Sequence, residues 1–186
     1  MKSKKYSERL FLAVELPRFA REAIVEKRKT WRKQLEDDVK WIPPLNLRLV
    51  LRYLGEIEVS KSKQLCKKLE TLAAGTEAFQ LSVENVGCSP SYTEATSLWL
   101  GFEQSEELRA LLKEIGAICG QLKLPADKKP FEPRIPLSRT SDPQHIPVLS
   151  TKPEFKGFMV KSLALVESRM GPNGPTYHPL RKFTLA

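Results

Sequence analysis

Two histidines, His145 and His178, are all that this chain of 186 residues contains. Imidazole is the side chain whose charge switches near neutral pH, so proton-relay chemistry has few groups to use. His145 lies in a proline-rich stretch and His178 opens the last strand-like segment; both read as surface residues. Cysteine is also scarce: Cys66, Cys88 and Cys119 are widely spaced, with no Cys-x-x-Cys pair. That pattern excludes a disulfide framework and a zinc cluster, and fits reduced cytosolic thiols in a core. No apolar run approaches the roughly 18 residues of a membrane span. Leu10–Val14 is short and no small-residue cleavage site follows it, so no signal peptide is expected and a cytoplasmic location is. There is no Gly-x-Ser-x-Gly elbow, no His-Glu-x-x-His and no phosphate-cradling glycine loop. Gly171–Pro175 is glycine-rich, but its prolines remove amide donors and it reads as a turn. Asp37-Asp38 and Glu106-Glu107 read as loop and helix-start charges. No metal and no cofactor is expected.

Positive charge is abundant. Lysine and arginine total 31 against 22 acids, a formal net charge of +9, which favours polyanionic partners such as RNA or nucleotides. Part of the excess sits at Lys2, Lys4 and Lys5. A hydrophobic fraction of 41% supports a packed interior, and the length suits one domain, residues 1–186.

Alternation and periodicity order the elements. Arg9–Leu16 alternates as a strand and stops at Pro17. Arg18 to Leu35 is helical, with Ala20, Ile24, Trp31 and Leu35 on one face. Asp37–Leu45 reads as a loop, followed by a strand ending at Gly55. Ser60 is the expected N-cap of a helix that reaches Ala74. Phe79, Leu81 and Val83 form a strand interrupted near Gly87–Pro90, and Thr96–Phe102, with Trp99, is the next. Ser105 opens a helix whose stripe is Leu108, Leu111, Leu112, Ile115 and Leu122. Pro125–Pro130 is a basic loop, and Thr140–Pro153 an ordered surface loop because of its prolines. Phe155–Glu167 and Tyr177–Leu185 are strands joined by a tight turn. The order β-α-β-α-β-β-α-β-β-β predicts an α+β fold.

Two stretches organise the rest: Asn46-Leu-Arg-Leu-Val-Leu-Arg-Tyr-Leu-Gly55 and Phe131-Glu-Pro-Arg-Ile-Pro-Leu-Ser-Arg139. Each carries an arginine and, two residues on, a second position on the same side of a strand: Arg48 with Val50, Arg134 with Pro136. Lying side by side, the strands would bring these four side chains to one patch, with Arg52 extending the first row. The stretches resemble the two signatures of the two-histidine phosphoesterases, in the branch of 2′-5′ RNA ligases and RNA 2′,3′-cyclic phosphodiesterases. There both signatures read His-x-Thr. The resemblance sets Arg48 and Arg134 at the histidine positions, and Val50 and Pro136 at the threonine positions. It covers nearly the whole chain. It implies two lobes, each a small antiparallel sheet with helices outside, related by approximate two-fold symmetry around a central cleft.

In enzymes of that family one histidine takes a proton from the attacking oxygen and the other protonates the leaving oxygen, while the threonines hold phosphate oxygens. Arginine, with a pKa above about 12, cannot relay protons, and each such group typically contributes about 10²–10⁴-fold. Arginine does bind phosphate, through a planar fork of donors. The expectation is a cleft that has kept phosphate recognition and lost the reaction, with no catalytic residue. Its ligand, an RNA end or a nucleotide, would meet Arg48, Val50, Arg134, Pro136, Arg139 and Phe11. Arg139 matches an arginine just beyond the family's second signature. Glu132 and Glu15 are the acids expected to offset the arginines. Phe11, on the side of Arg9, is the expected stacking ring; period two turns Tyr53 toward the core and Phe131 off the Arg134 face. A monomer without membrane contact is expected. Two other readings stay open: a divergent, active phosphodiesterase acting on 2′,3′-cyclic phosphate, and a non-catalytic interaction protein with a vestigial cleft.

Overall fold

The computed structural model describes residues 7–33, 35, 39–126, 130–145, 154–172 and 174–186. Strand β1 (Ser7–Glu15) buries Leu10, Leu12 and Val14 on one face and Phe11 and Ala13 on the other. β1 is an inner strand of its sheet, with a paired neighbour on each edge, and is covered on both faces by packed side chains. Helix α1 (Arg18–Arg32) follows Pro17 and turns Ala20, Ile24, Arg28 and Trp31 inward. Strand β2 (Lys40–Trp41) and a single 3-10 turn (Pro44–Asn46) lead to β3 (Arg48–Glu58). Then come α2 (Val59–Ala74), β4 (Phe79–Ser89), β5 (Ala95–Phe102) and α3 (Glu106–Gln121). Strands β6 (Arg134–Gln144), β7 (Gly157–Val160), β8 (Ser162–Gly171) and β9 (Gly174–Thr184) complete the chain.

The strands form two antiparallel sheets, ordered β3-β1-β8-β9 and β2-β6-β5-β4-β7, which with three helices make the α+β fold expected. Units β1-α1-β3 and β5-α3-β6 share a plan: a strand, a helix, then an antiparallel return strand that opens on an arginine, Arg48 or Arg134. One core joins both sheets to the helices, with Leu12, Leu49, Leu98 and Ile135 meeting Ile24, Leu65, Leu111 and Ile115. Each such side chain contributes about 1.5–3 kcal/mol on burial. A second, smaller cluster of Phe11, Ala13, Ala164 and Val166, with Val50 and Tyr177 packed on it, occupies the opposite face of the first sheet. The chain passes from the second sheet to the first with only Lys161 between β7 and β8. Ala186 then exchanges backbone hydrogen bonds with Thr76 and Ala78, just ahead of β4.

Several expectations need correction. Phe155–Glu167 is not one strand: β7 pairs with β4 and β8 with β1. Thr140–Gln144 continues β6, because little pairs with β6 on its outer side beyond Arg139, and prolines are tolerated on an open strand edge. Lys40–Trp41, read as loop, pairs with Ser138 and Arg139. β3 does not end at Gly55; it passes through that residue at φ +70° and runs to Glu58, a conformation glycine adopts readily. β4 continues through Gly87 to Ser89. Ser60 lies inside α2, whose cap position is Glu58 with no side-chain capping bond. Ser105 does cap α3, its Oγ accepting from the Leu108 amide at 3.2 Å. Lys2, Lys4, Lys5, Asp37, Asp38, residues 127–129 of the basic loop and residues 146–153 of the proline-rich stretch lie outside the described residues.

Candidate functional site

An open cleft of about 530 Å³ lies where the two signature strands approach each other, walled by Val50, Tyr53, Phe131, Glu132, Arg134 and Pro136. Three of the four positions that the resemblance singles out, Val50, Arg134 and Pro136, therefore face one hollow. Arg48 does not line it.

Arg48 begins β3 opposite Glu15 and is only 6% exposed. Its guanidinium carbon sits 5.9 Å from the centre of the Phe11 ring and 5.2 Å from that of Tyr177. Nη2 donates to the Leu45 carbonyl at 2.8 Å, while Nε and Nη1 are buried without a partner. Burial pulls its pKa down; Glu15 and Tyr177 push it back up and the Arg21 charge lowers it again. The group still carries its charge at neutral pH. Contact with two ring faces returns about 0.5–2 kcal/mol of what desolvation removes.

Arg134, at the start of β6, is differently held. Its guanidinium carbon lies 3.9 Å above the Trp99 ring, and Nη1 meets Glu132 Oε2 at 2.8 Å. Trp99 is fixed in turn. Its Nε1 donates to Ser89 Oγ at 3.0 Å, and the indole lies over the glycines of the flanking positions. A Cβ on Gly87 would stand 2.4 Å from two ring atoms, and one on Gly101 3.0 Å from a third. Absence of side chains there is what seats the ring. The expected acids are thus both in place, Glu132 by contact with Arg134 and Glu15 by its charge on Arg48.

Cross-strand pairing lays out the rest of this face. Pro136, Trp99 and Gly87 form one row, and Lys40, Arg139, Ser97 and Ser89 the next. Burial and then Tyr177 raise the Tyr53 pKa, and the exposed Arg139 is near enough to offset part of that rise.

The aromatic assignments change. Phe11 is 4% exposed and packs against Tyr53, at 6.2 Å between centroids, and Tyr177, at 5.3 Å, so it offers no free face for stacking. Tyr53 is not core; it is 67% exposed and lines the cleft. The cause is a pair of register shifts between β1 and β3, which set Tyr53 opposite Phe11 and Arg52 opposite Leu12. Each shift adds a residue and resets the alternation. Arg52 nevertheless lines the same cleft as Val50, and its Nη2 donates to the Pro125 carbonyl at 2.8 Å. Phe131 lines the cleft because it precedes β6, where strand parity does not apply. Trp99 was not singled out as a site residue; glycines 87 and 101 are the signal that marks its seat. His145 is exposed, His178 is exposed on β9 with Nε2 3.1 Å from Thr176 Oγ1, and neither lines the cleft. Among the described residues no group of three His, Cys, Asp or Glu could hold a metal ion, and no helix is long and apolar enough to cross a membrane.

Comparison with known proteins agrees with this fold. The RNA 2′,3′-cyclic phosphodiesterase of Thermus thermophilus is 31% identical over 185 residues, covering 95% of this chain and 90% of that protein. A crystal structure from the same organism is 30% identical with a TM-score of 0.80, covering 95% and 97% of the two chains. Escherichia coli LigT complexed with phosphate is 26% identical with a TM-score of 0.76, covering 97% and 98%; its NADP+ complex is also 26% identical, at 0.78, covering 97% and 99%. The sequence profile of the 2′-5′ RNA ligase superfamily matches residues 21–172. With that match spanning most of its length, the chain belongs to the 2′-5′ RNA ligase superfamily.

Proposed function

We propose that the cleft binds a phosphate-bearing ligand, an RNA end or a nucleotide, and does not carry out acid–base catalysis on it. The observation that carries this reading is the makeup of the wall: a clamped Arg134 and Arg52 beside Val50 and Pro136, with no imidazole and no serine or threonine hydroxyl among the described lining residues. A cation that does not titrate can hold phosphate but cannot pass a proton. Buried donors on Arg48 without acceptors add positive potential behind Val50. Relatives support the ligand class, since LigT has been crystallised with phosphate and with NADP+ and the Thermus relative is an RNA 2′,3′-cyclic phosphodiesterase.

The vestigial reading is favoured by one observation: both arginines already have internal contacts, Arg48 with Leu45 and two rings, Arg134 with Glu132 and Trp99. Calorimetric titration with inorganic phosphate and adenosine 3′-monophosphate separates the two. Binding that is lost in Arg134→Ala supports the proposal; no binding by the wild-type protein refutes it. RNA ending in a 2′,3′-cyclic phosphate tests the chemistry. The wild type is expected to leave it intact. Wild-type turnover that disappears in Arg134→Ala would show an active, divergent enzyme instead.

A further inference from the structure

Two N–H groups on the inner face of α1 are sealed from solvent and bond to nothing: Arg28 Nε and Trp31 Nε1. Arg28 is 6% exposed and Trp31 0%. Three residues apart on a helix, they are neighbours on one face, with Cβ atoms about 5–6 Å apart. Both also flank the same ring. The Arg28 guanidinium carbon lies 5.3 Å from the centre of Trp41, and the Trp31 indole stacks on Trp41 at 6.3 Å, 8° from parallel. The one bond that Arg28 makes, from Nη2 to the Leu137 carbonyl, is 3.4 Å long, beyond the usual range of about 2.7–3.2 Å. That carbonyl already accepts the Ile42 amide at 2.9 Å. Nearly all buried donors in folded proteins find an acceptor in protein, water or an ion. Two side by side without one point to an occupant.

Local charge says which kind. Arg28 is cationic at neutral pH, and Arg32, one turn on, holds its own guanidinium carbon 5.9 Å from the Trp41 centre. The acids of α1 are already engaged, Glu22 by Arg18 and Glu26 by Lys29, each at 2.6 Å. Neither Arg28 nor Arg32 forms an ion pair with a described acid. A water molecule could accept from both orphan donors, but it would leave the buried charge unbalanced, which is costly. We infer that Arg28 and Trp31 hold a small monovalent anion, a halide such as chloride, between α1 and β2. Phosphate, more highly charged and more strongly hydrated, would lose more on entering so dry a place. Entry requires only that β2 part from β6, a ladder of two residue pairs. Once bound, the ion ties α1 to the edge of the second sheet. None of Arg28, Trp31 and Trp41 lines the cleft, so this site stands apart from the function proposed there.

Thermal unfolding in sodium gluconate, with sodium bromide substituted at constant ionic strength, tests the site in the wild type, Arg28→Met and Trp31→Phe. Wild-type Tm is expected to rise by about 2–4 °C once bromide exceeds its dissociation constant about fivefold, and to level off as the site fills. In gluconate alone Arg28→Met should be the more stable protein; it should show no saturable rise, so bromide narrows the gap. Trp31→Phe keeps a ring against Trp41 but loses one donor, and should need several times more bromide for the same rise. Crystals of the wild type grown in bromide should show an anomalous peak within hydrogen-bonding distance of Arg28 Nε and Trp31 Nε1. A water or no peak at that place overturns the inference. So does a peak without saturable stabilisation in solution, which would mean an adventitious ion only, and so does an equal rise in Arg28→Met.

Discussion

Gly87→Ala isolates the seat of Trp99. Glycine 87 has no unusual backbone angle, so on conformational grounds alanine should stabilise the protein by about 0.4–1 kcal/mol through the unfolded chain. Contact reverses the sign. The new Cβ would lie 2.4 Å from two indole atoms, whereas carbon atoms rest about 3.5–4.0 Å apart, so the ring must lift by more than an ångström. Above it the Arg134 guanidinium is 3.9 Å away, and its Nε1 is tied to Ser89 at 3.0 Å. Overpacking of this kind costs about 1–3 kcal/mol, which lowers Tm by roughly 2–10 °C in a chain of this size. Displaced from the ring, Arg134 also loses a cation–π contact of about 0.5–2 kcal/mol, and phosphate affinity should fall with it. Thermal unfolding and phosphate titration of Gly87→Ala, Trp99→Leu and the double variant form the assay. In the Trp99→Leu background the clash is gone, and Gly87→Ala should be neutral or stabilising. Equal destabilisation in both backgrounds would refute the idea that the ring is what excludes a Cβ.

Lys40→Glu should stabilise the protein: replacing a like-charge pair by a carboxylate opposite Arg139 is expected to add about 0.2–1 kcal/mol in denaturant unfolding. Arg28 is 6% exposed, donates only a 3.4 Å hydrogen bond to Leu137, and burial with the nearby Arg32 charge lowers its pKa to about 10. That displacement corresponds to about 3 kcal/mol, of which the stack on Trp41 returns about 0.5–2, while the Leu137 carbonyl keeps its bond from the Ile42 amide. Arg28→Met should therefore be about 1–2 kcal/mol more stable at neutral pH; a less stable variant would show that the buried cation is properly compensated. Binding of a phosphodiester oligonucleotide should be flat between about pH 6 and 9, because the arginines stay charged and Tyr53, with its pKa raised, stays protonated. An inflection near neutrality, followed by tryptophan fluorescence or anisotropy, would implicate a histidine after all.

Elements with simple alternation or three-to-four spacing were legible in the residues: β1, α3 with its Ser105 cap, and the two arginine-bearing strands. So was the pairing of Arg134 with Glu132. What could not be read depends on register. Bulges between β1 and β3 bring Tyr53 into the cleft beside Arg52, and a one-residue slip exchanges the two faces of a strand. Arg48 looked like a cleft cation because parity gave it the side of Val50; its burial under Phe11 and Tyr177 depends on β9, far away in sequence. Phe155–Glu167 reads as one apolar strand because nothing in its composition marks where the chain leaves one sheet for the other. Trp99 reads only as a residue of its strand until glycines 87 and 101 are seen to flank it in space.

That passage through Lys161 makes the two halves inseparable. Strand β1 emerges first from a ribosome, yet one of its flanks stays open until β8 arrives, after every strand of the second sheet has been made. Closure of the N-terminal half thus waits for β8, and Ala186 fastens back beside Thr76. Cutting the gene at its midpoint would produce not two working lobes but two fragments, each missing a partner strand held by the other.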